Sequence, residues 1–435
     1  MTVSRLSSDD LMLLVGDRSL PPLNVGAVLF LEADATLSVE HLVRDLNRRL
    51  AALPRLRQRL HPVPIGAGRP IWLEDTHFDI RRHVKAGTTP YRSESEVMAA
   101  AAKLLGDRLP RNRPLWSVLV IPRADLRAAA VVMVMHHVMA DGMAGIALLQ
   151  SLTARAPGAT GQDFPSPPPS YRELVLDNLR GRLLTLARLR TSLRRLGQAV
   201  MALAPSARIR AVRTSLNRPT SARRVLATVE HPLPAVRAAA HHLGGTVNDV
   251  VLSAVTGALH GVLLRRGESA DALVISIPFA ARTTVSPGQL GNSSGVIPLL
   301  LLAAGDAADR IRQVAALTRK AKTVSRGAST ALLGPVFRVL ARTGVYQAFI
   351  TNQRLVHTFV SNLAGPATPV HLGRCTVNRI VPLSTPTGNI TVAFTALSYN
   401  GTLTVTIVAD PVTCPDVELL CELLNREFAQ ILAPP

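Results

Sequence analysis

Apolar positions along the chain change period several times, and each change marks an element. From Asn24 to Glu32, NVGAVLFLE is a run of β-formers. VEHLVRDLNRRLAALPRLRQRL then carries Val39, Leu42, Val43, Leu46 and Leu50 at steps of three and four, the spacing that gathers apolar side chains on one side of a helix. RPIWLEDTHFDIRRHV reads as strand and loop, SEVMAAAAKLLGDRL as a helix opened by Ser95, and PLWSVLVI and AAAVVMVM as buried strands. The second half alternates in the same way. SARRVLATVEHPL is expected to be a strand, PAVRAAAHHLG and TVNDVVLSAVTGALHGVLLRRG helices, and ALVISIPFAAR and GNSSGVIPLLLL strands. TFVSNLAGP, CTVNRIVPL and NITVAFTALSYNGTLTVTIVAD add further strands, with YNG a hairpin turn, before a last helix from Asp416. Helices covering sheets are therefore expected in both halves, an α/β fold.

Between Ala154 and Ser170, ARAPGATGQDFPSPPPS concentrates residues that neither helix nor sheet interior tolerates. It sets the expected division: a first α/β domain over 1–153, a linker and basic helix over 154–215, and a second domain over 216–435. Past the linker, Leu176, Leu179, Leu183, Leu186, Leu189, Leu193, Leu196, Val200 and Leu203 step by three or four. Arginines fill positions between them, predicting a basic amphipathic helix from about Tyr171 to Ala204. Its leucines are expected to pack across the two domains while its arginines face solvent or an anionic surface.

Composition narrows the partners. With 435 residues, 47% hydrophobic and 18% charged, the chain can bury large cores, which excludes a disordered protein. A formal net charge of +20 would attract nucleic acid or an anionic membrane. Only 3% of residues are aromatic, too few for base-stacking platforms, and no zinc-finger spacing is present, so the membrane surface is the better partner. Cys375, Cys414 and Cys421 are odd in number and form no CxxC pair, which suggests neither disulfides nor zinc and fits a reducing compartment. MTVSRLSSDDLMLL lacks the basic start of a secretory signal, and no uninterrupted apolar run reaches ~18 residues. The expectation is a cytoplasmic protein in peripheral contact with membranes.

The stretch with the most chemistry is VVMVMHHVMADGMAGIALLQ, residues 131–150. Consecutive residues at a strand end point to opposite sides, so His136 and His137 cannot easily share a metal, and no HExxH or CxxC partner accompanies them. One neutral imidazole, with an unperturbed pKa of ~6.5, is instead suited to take a proton from a hydroxyl attacking an acyl group. Asp141 can fix the turn, and Gly142 permits a backbone approach that a side chain would block. His241 and His242, at a helix end without the Asp-Gly spacing, read as structural.

These residues resemble the HHxxxDG motif of the coenzyme A-dependent acyltransferase superfamily. LSSDDLMLLVGDRSLPPLNVGAVLFLE, PLW at Pro114–Trp116, ND at Asn248–Asp249, GN at Gly291–Asn292 and SNLAGP from Ser361 together look like the bacterial wax ester synthase/diacylglycerol acyltransferase family. The likeness runs from about Leu6 to the last helix; Ser117, where the family often has an acid, departs from it. The resemblance implies two chloramphenicol-acetyltransferase-like domains with the active site in the crevice between them. It implies His137 as general base beside His136, and Asp141 as a structural acid often ion-paired with an arginine, for which Arg282 is the candidate, a strand-end surface charge being its other reading. Asn248 and Asp249 would shape the substrate site in addition to forming a capping box with Thr246. Trp116 reads first as core, with the acyl tunnel as the alternative. Acyl-coenzyme A would be co-substrate, with no cofactor and no metal, and diacylglycerol the acceptor, giving triacylglycerol. A fatty alcohol acceptor giving wax ester, a carrier-protein thioester donor, and lipid binding without catalysis are the other readings.

Overall fold

A computed structural model describes residues 3–17, 21–33, 38–50, 53–125, 128–153, 167–187, 211–280, 292, 294–325 and 345–433. The first half runs α1 (Ser8–Gly16), β1 (Asn24–Ala33), α2 (Val39–Leu50), β2 (Gln58–His61), β3 (Ile71–Glu74), β4 (Val84–Ala86), α3 (Glu94–Gly106), β5 (Trp116–Pro122), β6 (Ala128–His136), α4 (Gly142–Thr153) and α5 (Tyr171–Ala187). The second runs β7 (Val225–Pro232), α6 (Leu233–His242), α7 (Val247–Arg265), β8 (Ala272–Ala280), β9 (Ser294–Leu302), α8 (Ala307–Ser325), α9 (Val345–Thr351), β10 (Thr358–Ala364), β11 (His371–Leu372), β12 (Cys375–Leu383), β13 (Val392–Tyr399), β14 (Thr402–Ala409) and α10 (Val417–Leu432). The α/β expectation holds. Helices α1, α8 and α9 lie outside the elements read from the pattern, and α3 begins at Glu94, not at Ser95; the helix read over 39–60 ends at Leu50, with Pro54 opening a short 3-10 turn before Gln58–His61 pairs as β2 with β3.

Two six-stranded sheets organise these elements, ordered β11-β12-β1-β6-β5-β4 and β7-β14-β13-β10-β8-β9, with β2 and β3 forming a separate pair. Strand β6 is apolar because it is hydrogen-bonded on both sides, to β1 and β5, and covered on both faces. The β13–β14 hairpin turns at Asn400 and Gly401, both at positive φ (47° and 78°), as the YNG reading requires. Helix α7 is long and apolar because it is the core helix of the second sheet: Val250, Val251, Leu252, Ala254, Val255, Ala258 and Leu259 are fully buried.

Two expectations need correction. The second domain is not the unbroken segment 216–435: β11 and β12 cross to the first sheet, where β12 pairs antiparallel with β1 through Gly26↔Leu383 to Ala33↔Cys375. Nor are the described leucines of the expected helix, Leu176, Leu179 and Leu183, packed across the domains. Leu174 is buried, but Leu176, Leu179, Leu183 and Leu184 are exposed on α5; the rest of the expected helix, 188–204, lies outside the described residues, as does most of the linker.

Candidate active site

The end of β6 divides the two histidines between opposite neighbours. The His136 N–H donates to Leu115 O (2.9 Å) and the His137 N–H to Leu23 O (2.8 Å). The Val138 N–H donates to His136 Nδ1 (3.1 Å), so in the neutral ring the proton sits on Nε2. That nitrogen lies 3.4 Å from Asp17 Oδ2, an electrostatic contact outside hydrogen-bond geometry. Burial alone would raise the Asp17 carboxyl; His136, Arg111 and Arg108 outweigh it and hold the carboxyl below its usual range. His136 is thus a buried scaffold residue, its ring engaged with the turn after β6 and the end of α1.

His137 faces a cavity of about 1200 Å³ between the two sheets. Its lining is mostly apolar, contributed by Met12, Ile146, Leu300, Phe349, Leu363 and Phe394 among others. Polar groups are few, and include Ser384 and Thr395, whose hydroxyls hydrogen-bond each other at 2.6 Å. Burial pushes the His137 imidazole below its ordinary pKa; its own backbone carbonyl, Asp141 and Asn292 oppose the shift without cancelling it, and His136 adds to it. The ring is therefore neutral at pH 7, the form that accepts a proton.

Asp141 caps α4: Oδ1 accepts the Ala144 N–H (2.9 Å), and its carbonyl accepts the Gly145 N–H (2.7 Å). The glycine after it answers to a close approach from the second sheet, since a Cβ on Gly142 would stand 2.7 Å from Leu363 Cδ2. Among the described residues no cluster of three His, Cys, Asp or Glu side chains is placed to hold a metal.

The wax ester synthase/diacylglycerol acyltransferase catalytic domain matches residues 6–251, and the C-terminal domain of the same family matches 290–432. The chain belongs to this family. A Mycobacterium tuberculosis (strain ATCC 25618 / H37Rv) protein provisionally named diacylglycerol O-acyltransferase Rv1760 is 28% identical over 95% of this chain and 87% of its own length. A second protein of that strain, provisionally named diacylglycerol O-acyltransferase tgs1, is 28% identical over 94% of this chain and 91% of its own. Among solved structures, the wax ester synthase/diacylglycerol acyltransferase from Marinobacter aquaeolei VT8 superposes with a TM-score of 0.70 at 20% identity, covering 98% of each chain. The first condensation domain of the calcium-dependent antibiotic synthetase does so at 0.68 and 16% identity, covering 100% of this chain and 97% of its own. Two chloramphenicol-acetyltransferase-like halves with a crevice between them are therefore the fold, and the protein is an acyltransferase.

Within this family member, the substrate-binding expectations fare unevenly. Trp116 is core: its Nε1–H donates to Leu56 O (2.7 Å), its ring stacks on His83 at 4.4 Å, and the space it lines is a void of about 20 Å³, too small for an acyl chain. Asn248 and Asp249 do not line the large cavity. Asp249 Oδ2 accepts the Thr246 N–H and hydroxyl (both 2.8 Å) and Oδ1 accepts the Thr318 hydroxyl (2.7 Å), so Asp249 caps α7 and fastens it to α8. Arg282 lies outside the described residues. The cavity instead gathers Asn292, visible in the sequence only as half of GN, and the hydroxyls of Ser384 and Thr395, which carried no sequence signal.

Proposed function

We propose that the enzyme transfers a long-chain acyl group from acyl-coenzyme A to the free hydroxyl of diacylglycerol, giving triacylglycerol, with His137 as general base. The observation that carries this reading is a neutral imidazole in the wall of a largely apolar cavity of about 1200 Å³. That volume exceeds the roughly 300–1,000 Å³ of ordinary small-molecule pockets and suits lipid chains. The hydroxyl proton passes to the imidazole as the oxygen attacks the thioester carbonyl carbon. The tetrahedral adduct then collapses with cleavage of the C–S bond, and the imidazolium returns its proton to the departing thiolate, so coenzyme A leaves as thiol. Neither an acyl-enzyme nor a cofactor takes part in the step so written. Asp141 holds the turn that presents the base.

The test is incubation of purified enzyme with radiolabelled palmitoyl-coenzyme A and either dioleoylglycerol or hexadecanol, followed by separation of the lipids. Labelled triacylglycerol supports the reading; wax ester alone reassigns the acceptor to a fatty alcohol; transfer to neither by folded protein overturns it, leaving a carrier-protein donor or lipid binding without turnover.

The same reading has the enzyme cytoplasmic, touching an anionic membrane or lipid-droplet surface without spanning it. What supports the surface contact is α5, where Leu176, Leu179, Leu183 and Leu184 are exposed beside exposed Arg180 and Arg182. Each basic residue near such a surface adds at most ~1 kcal/mol, screened by salt. Co-sedimentation with anionic vesicles should weaken when Leu183 and Leu184 are changed to Ser and Arg180 and Arg182 to Gln; equal binding at low salt would exclude α5 as the contact.

A further inference from the structure

Asn292 precedes β9 in the second half of the chain, yet its side chain bonds only to the first half among the contacts of the described residues. Nδ2 donates to Asp10 Oδ1 (2.6 Å) and to the backbone carbonyl of His137 (2.7 Å), and the Asn292 backbone N–H donates to the same Asp10 oxygen (3.3 Å). The orientation of the amide is settled by chemistry. A carbonyl can only accept, a carboxylate facing an N–H does the same, and an amide has two hydrogens on one nitrogen; both are used. Asp10 is itself fixed, being 3% exposed with Oδ2 accepting the Ser7 hydroxyl at 2.6 Å. A relay therefore runs from the start of α1 through Asp10 and Asn292 to the peptide group of the base.

That peptide group matters because the His137 ring faces it. The interaction between the ring and its own carbonyl favours a proton on the ring, and covalent reach allows only Nδ1 to make it. It falls short of hydrogen-bond geometry, and Nδ1 is buried with no other partner among the described residues. The carbonyl thus favours the tautomer with Nδ1 protonated, and its direction is fixed by the Asn292 amide. Docking the two halves together would need only the bond to Asp10, which a hydroxyl could supply; the second amide hydrogen goes to the residue that does the chemistry.

We propose that Asn292, held by Asp10, is a positioning residue: it sets the His137 carbonyl, and through it the tautomer with Nδ1 protonated and Nε2 free to take the acceptor proton. The inference rests on His137 being the base. It makes that base complete only when Asp10 and Asn292 are both in place.

The experiment uses the full-length protein labelled with ¹⁵N-histidine, the His137 ring signals being identified by their loss in His137→Gln. Wild type should show a protonated Nδ1 and an unprotonated Nε2 at neutral pH. Asn292→Ala should mix the tautomers and lower kcat on the order of 100-fold, the scale of an ångström-sized misplacement, with little change in KM for palmitoyl-coenzyme A. Asn292→Asp sets two carboxylates together and should also lower the melting temperature. Adding Asp10→Asn to it should restore the melting temperature, because the amide at position 10 donates to the carboxylate at position 292, but not kcat, because a carboxylate cannot donate to the His137 carbonyl. A single unchanged tautomer in Asn292→Ala, or recovery of kcat together with stability in the exchange variant, overturns the proposal. The ring signature is read without substrate, so a wild type that transfers no acyl group would sink the functional reading separately.

Discussion

Gly142→Ala tests how closely the crevice is built. The added methyl would lie 2.7 Å from Leu363 Cδ2 and 3.2 Å from Cδ1, across the gap between α4 and β10. Carbon atoms rest at about 3.5–4.0 Å, so Leu363 or the helix start must retreat by about 0.8 Å. Overpacking of this kind costs about 1–3 kcal/mol. The lower half of that range is expected, because Leu363 is a half-buried side chain at the cavity wall and can turn into open space. Activity should suffer more than stability, since the displaced turn carries Asp141 and follows His137; a shift near 1 Å is worth on the order of 100-fold in rate. Urea denaturation and kcat/KM should be measured for Gly142→Ala, Leu363→Ala and the pair. Shortening Leu363 removes the obstacle, so the double variant should be more stable than the summed penalties imply, by about 0.5–3 kcal/mol. Strictly additive penalties, or a Gly142→Ala enzyme as stable and as fast as its parent, would show that the two groups do not meet.

His137→Gln should lower kcat on the order of 100- to 10,000-fold while circular dichroism and melting stay near wild type; turnover within a few-fold of wild type removes the base assignment. His136→Ala should act on stability, by about 1–3 kcal/mol, because it strips a partner from Asp17 and leaves the buried Val138 N–H unbonded; a pure rate defect at unchanged stability would contradict that role. Because burial depresses the His137 pKa below 6.5, the reactive neutral form persists as pH falls through 6.5, and kcat/KM should drop only on a more acidic limb; a limb centred at or above 6.5 would refute the direction of the shift. Asp249→Ala removes the α7 cap and the bond from Thr318, costing about 0.5–2 kcal/mol in denaturation while KM values hold; a KM defect without lost stability would return the ND pair to the substrate site.

The pattern along the chain was informative where one local rule decides the outcome. A strand covered on both faces must be apolar throughout, so β6 and β8 could be read directly, and the turn at Asn400–Gly401 declared itself through residues that tolerate positive φ. His137, Asp141 and Gly142, close in the sequence, all line the cavity between the sheets, where the resemblance expects the site. Periodicity reports which faces are buried but not which sheet a strand joins, and so CTVNRIVPL gave no sign that it would leave its neighbours for β1. The α5 leucines follow helical spacing whether or not another surface covers them. Trp116 and Asp249 came by resemblance with a site role, yet each is engaged in support: an indole hydrogen bond to Leu56 O and a helix cap. Asn292 acts on a carbonyl 155 positions away, a relation that no window along the chain contains.

Strand β12 makes the molecule indivisible. A fragment ending near residue 215 would carry a first sheet that stops at β1, with the backbone groups of Gly26–Ala33 that β12 pairs left as an open edge, the kind of surface that recruits other chains. The complementary fragment would carry the missing strand with nothing to lie against. Two such pieces are built to find each other, not to stand alone. The intact chain gains a clasp from the same arrangement: having run through the first sheet, it returns to the second through 384–391, and Ser384, Thr385 and Thr387 on that return line the cavity. The Thr385 hydroxyl is fastened to Asn24 O (2.8 Å), the residue that sits opposite His136. Any occupant that pressed the sheets apart would therefore pull first on the segment it touched, and through it on the strand end that holds the two histidines.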